Sequence, residues 1–282
     1  MWEALQLEFV RNAVIAGLLV SLVCGVIGTL VVVNRIVFLA GGVAHAAYGG
    51  IGLAFFMGWP YLVGTLGFSL VSAGVMAAVT LKARHRADAM VGIVWAVGMA
   101  AGVILLDLTP GYHADLMSYL FGSILTVPAS DLWQMGLLAI LVIAVVGYRY
   151  HDFLAMSYDG EFASLRGVPV TLLHYVLLGM IAVTVVMIIR VVGLILVIAL
   201  LTIPPFIAEK YTRSLKAMMV LSSALSALFT LLGLWLSYLL NLTSGATIIL
   251  VAAAGFLLAA LGEKAMRRKP RESSAHVVSP SG

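Results

Sequence analysis

Residues 172–205 read LLHYVLLGMIAVTVVMIIRVVGLILVIALLTIPP, and Arg190 is the one formally charged side chain among them. Stretches this apolar are atypical of domains that fold in water, in which about half of the residues are apolar. The whole chain of 282 residues has the same character, with 63% hydrophobic residues, 10% charged residues and a mean hydropathy of +1.13. Apolar runs of about 20 residues match the hydrocarbon thickness of a bilayer. The sequence therefore predicts a polytopic membrane protein.

The lengths of the apolar runs favour helices over a β-barrel. Barrel strands are about ten residues long and alternate polar with apolar side chains, whereas these runs are longer and apolar on every side. The predicted fold class is all-α, with eight to nine transmembrane helices. The predicted spans are 12–33, 37–57, 60–81, 90–106, 132–148, 172–189, 191–207, 217–240 and 246–262. Residues 1–263 form the predicted transmembrane domain, and residues 264–282 form a basic tail that is predicted to be disordered and cytoplasmic.

The seventh span requires a break in the apolar stretch. As a single helix, residues 172–203 would be about 48 Å long, which exceeds a hydrocarbon core of about 30 Å. Arg190 and Gly193 mark one predicted break, and Pro204 and Pro205 are predicted to end the short helix near 191–207 because proline removes backbone donors. A re-entrant seventh segment would give eight crossings, and a full crossing gives nine.

The positions of the basic residues favour nine crossings and set the orientation. With nine crossings, all but two of the 16 Lys and Arg residues fall on one side, and Arg11 and Arg190 fall on the other. Positive residues in short loops stay cytoplasmic, so the N-terminus is predicted outside and the C-terminus inside. The basic charge thus belongs to membrane loops, and no nucleic-acid partner is expected.

The sequence contains no motif by which the chain alone could use ATP or an ion gradient. It has no G-x-x-x-x-G-K-[ST] phosphate loop, no H-E-x-x-H and no G-x-S-x-G motif. The interiors of the predicted spans contain no Asp or Glu, which ion-coupled carriers use as relays. Cys24 is the single cysteine, so a cysteine metal cluster is excluded. We expect a conduit that is not an enzyme and has no permanently bound cofactor.

Residues 149–171, which we call the coupling segment, form the longest predicted cytoplasmic connection. Asp159 can cap a short helix, Glu161 suits its first turn, and Gly167 can end it. Phe162 and Leu165 would then be exposed and suited to a partner's groove. A helix packed on its own protein is the alternative interpretation.

Four segments, in order, resemble the permease subunits of bacterial and archaeal ABC importers for zinc, manganese and iron. They are VNRIVFLAGGVAHAAYGG (33–50), PGYHADLMSYLFGSIL (110–125), DGEFASLRGVPV (159–170) and VVGLILVIALLTIPP (191–205). The resemblance implies a multi-pass protein of the cytoplasmic membrane, separate ATPase subunits, an external metal-binding protein and a second permease, either as a homodimer or as a pseudo-symmetric pair. It also implies that Asp159, Glu161, Phe162, Leu165 and Gly167 couple to the ATPase and that Gly193, Pro204 and Pro205 form a helix break or gate.

Within that resemblance, His45 in the second span is the predicted metal ligand. A neutral imidazole binds zinc, manganese or iron. Gly41 and Gly49 lie one turn before and after His45 and are expected to leave space around its ring, while Gly42 and Gly50 are expected to let another helix approach. A structural histidine hydrogen-bonded to a neighbouring helix is the alternative.

The residues around His45 bear on which metal is carried. Many members of the resembled family carry Asp where this chain has Gly41, and the missing carboxylate weakens a hard, oxygen-rich site. Zinc is therefore expected first, with manganese or iron next. His113 and Asp115 are weaker candidates for receiving the ion, because a turn and a helix cap explain them equally well.

Two other functions stay open at this point. One is a permease for chelated iron or a cobalamin-like ligand, which requires a wider pathway. The other is a stand-alone ion-coupled carrier or a membrane enzyme, which needs no ATPase.

Overall fold

The computed structural model describes residues 8–82, 87–110, 120, 122, 124 and 127–267, and the regular secondary structure within these ranges is helical. The helices are α1 (Glu8–Val33), α2 (Val37–Met57), α3 (Tyr61–Lys82), α4 (Ala87–Asp107), α5 (Ala129–Tyr148), α6 (Tyr150–Tyr158), α7 (Gly160–Leu165), α8 (Val170–Val192), α9 (Leu194–Tyr211), α10 (Leu215–Leu240) and α11 (Ser244–Arg267). The all-α class is confirmed. His113 and Asp115 lie outside the described residues.

Nine of the helices in the described ranges are long and apolar enough to cross a bilayer, and they correspond to the nine predicted spans. The short α6 and α7 interrupt them inside the coupling segment. Apolar side chains fall on all sides of each helix, so the helices differ mainly in how much of their surface other helices cover. About 70% of α1 and α2 is buried, against 22% of α4 and of α11. The bundle is therefore centred on α1 and α2, and Cys24 of α1 lies buried there.

Gly193 separates α8 from α9, as predicted. It is the single residue between them and has φ 81° and ψ 161°, a conformation that only glycine adopts without strain. Just before it, the Arg190 Nε lies 3.8 Å from Asp131 Oδ2, and its guanidinium lies 5.7 Å from the centre of the Tyr61 ring. Arg190 therefore pairs with the start of α5, at the end of the bundle opposite the coupling segment.

Helix α9 then returns to the end that holds the coupling segment, which we call the coupling end. Glu209 and Thr212, at the end of α9, line a cavity of about 280 Å³ together with Ser157 and Tyr158 of the coupling segment. The 18 residues of α9 span about 27 Å, close to the full hydrocarbon thickness. This path favours nine crossings over a re-entrant seventh segment.

The prediction that Pro204 and Pro205 end the short helix is wrong. Both prolines are buried inside α9, which continues to Tyr211. The reason is packing against α1: a Cβ on Gly28 would lie 2.6 Å from the Leu201 carbonyl oxygen and 2.9 Å from Pro205 Cγ. This close contact with α1 holds the helical path through residues that would break an isolated helix.

The predicted boundary of the tail needs a smaller correction. Helix α11 continues to Arg267, so the first four residues of the predicted tail extend the last helix. The α11 end is tied to α9 at the coupling end, where Lys210 Nζ lies 2.8 Å from Glu263 Oε2. Residues 268–282 lie outside the described ranges.

Candidate functional site

His45 lies near the middle of α2, half-buried, with its ring against Trp95 of α4. The centres of the two rings are 4.1 Å apart, with an angle of 35° between the planes. The His45 Nδ1 lies 2.9 Å from the carbonyl oxygen of Gly41, one turn earlier in the same helix. The stacked indole and this hydrogen bond together fix the position of the imidazole.

The hydrogen bond also fixes which ring nitrogen carries the proton. A carbonyl oxygen can only accept, so His45 Nδ1 must donate, and in the neutral ring Nε2 then holds a free lone pair. No described residue hydrogen-bonds to Nε2. Metal-binding histidines in proteins share this arrangement, in which one nitrogen donates to the protein and the other faces the ion. The hydrogen bond to a neighbouring helix that the alternative interpretation expects is not the one observed, since the acceptor belongs to α2 itself, and a structural role for His45 stays the alternative.

The glycines on either side of His45 play different parts. A Cβ built on Gly41 meets no atom within 4 Å, so there is open space one turn from the imidazole, as expected. A Cβ on Gly49 would lie 2.7 Å from the Gly98 carbonyl oxygen and 2.8 Å from the Phe68 ring. The expectation of free space at Gly49 is therefore wrong, because this glycine permits close helix packing instead.

The neighbouring stripe of small residues does bring helices together. A Cβ on Gly42 would lie 2.5 Å from Val91 of α4, and one on Gly50 would lie 2.7 Å from the Thr65 Cα of α3. Helix α2 is thereby held against α3 and α4 at close range, which confirms the predicted role of Gly42 and Gly50.

Trp95 and Phe38 extend the His45 site toward the coupling end. The Phe38 and Trp95 ring centres are 6.1 Å apart, and Phe38 precedes His45 by seven residues, so both side chains lie on the same face of α2. Phe38 also borders a cavity of about 770 Å³ at the coupling end, together with Arg35, Asp88 and Glu209. Trp95 is a site residue that was not predicted from the sequence. Its signal is its position in the middle of a span, because tryptophans of membrane proteins concentrate at the interfaces.

The metal donors of this site are few. Within the described residues, no group of three or more His, Cys, Asp or Glu side chains lies close enough together to hold an ion. A metal ion at His45 would therefore not meet a ready-made set of three such side chains within the described ranges, and water, another chain or residues outside those ranges could complete its ligands.

The coupling segment forms the helix that the sequence predicts. Asp159 Oδ1 accepts a hydrogen bond from the Phe162 backbone N–H at 2.9 Å, and Glu161 lies in the first turn of α7. Gly167 adopts φ 84° just after the helix ends. Phe162 and Leu165 are 56% and 87% exposed, so most of their apolar surface is free to meet a partner.

Charged side chains make contacts at the beginning of the coupling segment. Arg149 Nη1 donates to Asp152 Oδ2 at 2.9 Å, and this hydrogen bond raises the pKa of Arg149 above its ordinary value. Lys216 Nζ, at the start of α10, lies 4.9 Å from the centre of the Tyr150 ring. Cationic side chains therefore hold α6 in place at its N-terminal end.

These features define a class of protein: an all-α, multi-pass membrane protein with a half-buried histidine one turn from open space at Gly41 and an exposed short helix at one end. The chain belongs to the ABC 3 transport family, whose model matches residues 6–263. The resemblance carried by the four sequence motifs is thereby confirmed.

Individual relatives agree with this membership. The chain is 52% identical over 258 residues to an uncharacterized membrane protein of Synechocystis sp., covering 92% of each chain. It is 34% identical over 257 residues to the manganese transport system membrane protein MntC of Listeria monocytogenes, covering 91% of each chain. A solved structure described as PsaBC from Streptococcus pneumoniae in complex with Fab matches with a TM-score of 0.83 and 29% identity, covering 92% of this chain and 93% of that one.

Proposed function

We propose that this chain is the membrane-spanning subunit of an ATP-driven importer that carries a divalent transition metal into the cytoplasm. The observation that carries the proposal is the state of His45, whose Nδ1 donates to the Gly41 carbonyl oxygen while no residue in the described ranges hydrogen-bonds to Nε2. A single, half-buried imidazole next to open space suits a transient contact, because a pathway has to release the ion that it binds.

The driving force comes from separate ATPase subunits, since the chain has no phosphate loop. Helix α7 is the docking element: Asp159 fixes its start, and exposed Phe162 and Leu165 offer apolar surface to a groove in the ATPase. Glu161 and Gly167 shape the two ends of this helix.

Manganese is the first candidate ion, because the named Listeria relative is a manganese transport system membrane protein. The sequence alone placed zinc first. Zinc and iron remain candidates, because imidazole nitrogen binds all three ions and position 41 supplies no carboxylate to select a harder one.

A second copy of this chain completes the permease, so that two His45 side chains contribute to one pathway. The coupling end faces the cytoplasm, because the Lys and Arg residues concentrate there, and the N-terminus lies outside. An external binding protein delivers the ion to the opposite end, and Gly193 provides the break between the helices that meet there.

The experiment is ATP-dependent uptake into proteoliposomes that contain the permease and its ATPase. With ATP inside the liposomes and the external binding protein outside, we expect wild-type protein to accumulate radioactive manganese and His45→Ala to lose most of this uptake while it still binds the ATPase. His174→Gln is the matched control, because His174 hydrogen-bonds Thr80 on α3, away from Trp95.

Three results would contradict the proposal. Unchanged uptake by His45→Ala would make His45 a packing residue. Uptake by the chain without any ATPase would indicate a stand-alone carrier. A complex that ignores free manganese, zinc and iron but accumulates a metal chelate would indicate the chelate permease.

A further inference from the structure

The turn between α1 and α2 belongs to the first of the four sequence motifs, yet the proposed function assigns it no part. It is only three residues long, and the backbone N–H groups of Asn34, Arg35 and Ile36 all donate to the last turn of α1 at 3.0–3.1 Å. Arg35 holds a left-handed conformation with φ 57°. These hydrogen bonds attach the turn to the end of α1, and the Ala40 N–H, which donates to the Ile36 carbonyl oxygen at 3.1 Å, attaches the turn to the first turn of α2.

The side chain of Asn34 connects this turn to the coupling segment. Its Nδ2 donates to the Leu30 carbonyl oxygen at 2.8 Å and to the Ser157 hydroxyl oxygen at 2.9 Å. Among the described residues, this is the side-chain hydrogen bond that joins the coupling segment to the rest of the bundle. The first bond holds the amide in position, and the second reaches across to α6.

Ser157 lies where a movement of α7, the proposed docking helix, would be passed on to the bundle. It belongs to the last turn of α6, two residues before Asp159, which caps α7. Phe153, one turn earlier, is completely buried and anchors α6 in the core. A displacement of α7 therefore reaches Ser157 through the last turn of α6.

On the other side of the hydrogen bond, the path to the metal site is short. Helix α2 begins at Val37, three residues after Asn34, and contains no proline up to His45. The eight residues from Val37 to His45 correspond to about 12 Å of helix. A tilt or shift imposed at the turn is thus transmitted to the imidazole by an unbroken helix.

We propose that Asn34 and Ser157 are positioning residues, whose hydrogen bond transmits the movement of the docked α7 to α2 and so to His45. The proposal rests on the proposed function, because it assumes an ATPase at α7 and an ion at His45. It adds a specific mechanical connection between those two places.

The first test is Ser157→Ala in the complete permease–ATPase complex, with uptake and ATP hydrolysis measured on the same proteoliposomes. We expect assembly and hydrolysis to be retained and the uptake per ATP hydrolysed to fall about fivefold, which corresponds to roughly 1 kcal/mol for one neutral hydrogen bond. Ser223→Ala is the matched control: the Ser223 hydroxyl also bonds to α1, at the Leu22 carbonyl oxygen, but it is remote from the coupling segment.

A second test replaces the hydrogen bond with a covalent link. Asn34→Cys and Ser157→Cys are combined, and the two thiols are bridged by a short bifunctional reagent, with a monofunctional reagent as the control. The native Cys24 is buried and does not compete for reagent. If the two sites move together, bridging restores the uptake per ATP that the paired substitutions remove.

The outcomes separate this proposal from the proposed function. Wild-type uptake per ATP in Ser157→Ala, or a bridged variant that is blocked while its unbridged form transports, would overturn the mechanical connection alone. A wild-type complex that hydrolyses ATP without moving any metal would overturn the proposed function and this proposal with it.

Discussion

The packing of α2 gives the sharpest prediction, because the same substitution on this helix should have opposite effects at two glycines. At Gly50, the added methyl carbon would lie 2.7 Å from the Thr65 Cα and 2.9 Å from the Gly64 carbonyl oxygen. Ordinary carbon contacts are about 3.5–4.0 Å, so α3 has to move away by about 1 Å. At Gly41, the same methyl group meets no atom within 4 Å.

The two free energies follow from these distances. Overpacking costs about 1–3 kcal/mol, with about 2–3 kcal/mol expected at Gly50 because the clash is with backbone atoms, and replacing glycine by alanine in a helix returns up to about 1 kcal/mol. Gly50→Ala should therefore lower the free energy of unfolding by about 1–2 kcal/mol, and Gly41→Ala should raise it by about 0.5–1 kcal/mol. The assay is reversible unfolding in mixed detergent micelles with increasing SDS, followed by circular dichroism.

The decisive quantity is the difference in free energy of unfolding between the two variants, because both substitutions are measured on one helix in one detergent. A Gly50→Ala protein as stable as wild type would refute the close approach of α2 and α3. A Gly41→Ala protein that is less stable than wild type would refute the open space beside His45.

Two further predictions concern the ends of helices. Gly193→Ala should lower the free energy of unfolding by about 1–3 kcal/mol, because φ 81° and ψ 161° are strained for any residue with a Cβ. The same unfolding assay measures this change. A variant as stable as the wild-type protein would contradict the break between α8 and α9. Asp159→Ala should remove the cap of α7 and cost about 1 kcal/mol of local helix stability, so the permease should bind its ATPase about fivefold more weakly. Titration of labelled ATPase onto the purified permease measures this affinity, and Asp159→Asn, which can still cap the helix, is the control. Equal affinity of the wild-type protein and both variants would contradict a role for the cap.

The helices could be predicted from sequence because the bilayer imposes one strong rule. Every backbone group in hydrocarbon has to be satisfied within its own segment, so apolar length alone locates the spans. The cap at Asp159 and the break at Gly193 were also predictable, since each depends on the conformational preference of the residue itself.

The errors fall where distant parts of the chain decide the outcome. Pro204 and Pro205 continue a helix because α1 presses against them through Gly28, a contact between residues far apart in sequence. Gly49 looks equivalent to Gly41 on a helical wheel, yet α4 covers only one of them. Trp95 reaches His45 only through the packing of α4 on α2, and a single sequence holds no record of that pairing.

The roles of the site residues remain predictions of a different kind. The structure gives the geometry of His45 and of α7, but transport and ATPase docking are events between molecules. The proposed variants test these events directly.

The acceptor that orients the His45 imidazole is the main-chain oxygen of residue 41, and a main-chain oxygen is present whichever amino acid occupies that position. A different side chain at position 41 would therefore stand beside the imidazole without removing the hydrogen bond that orients the ring.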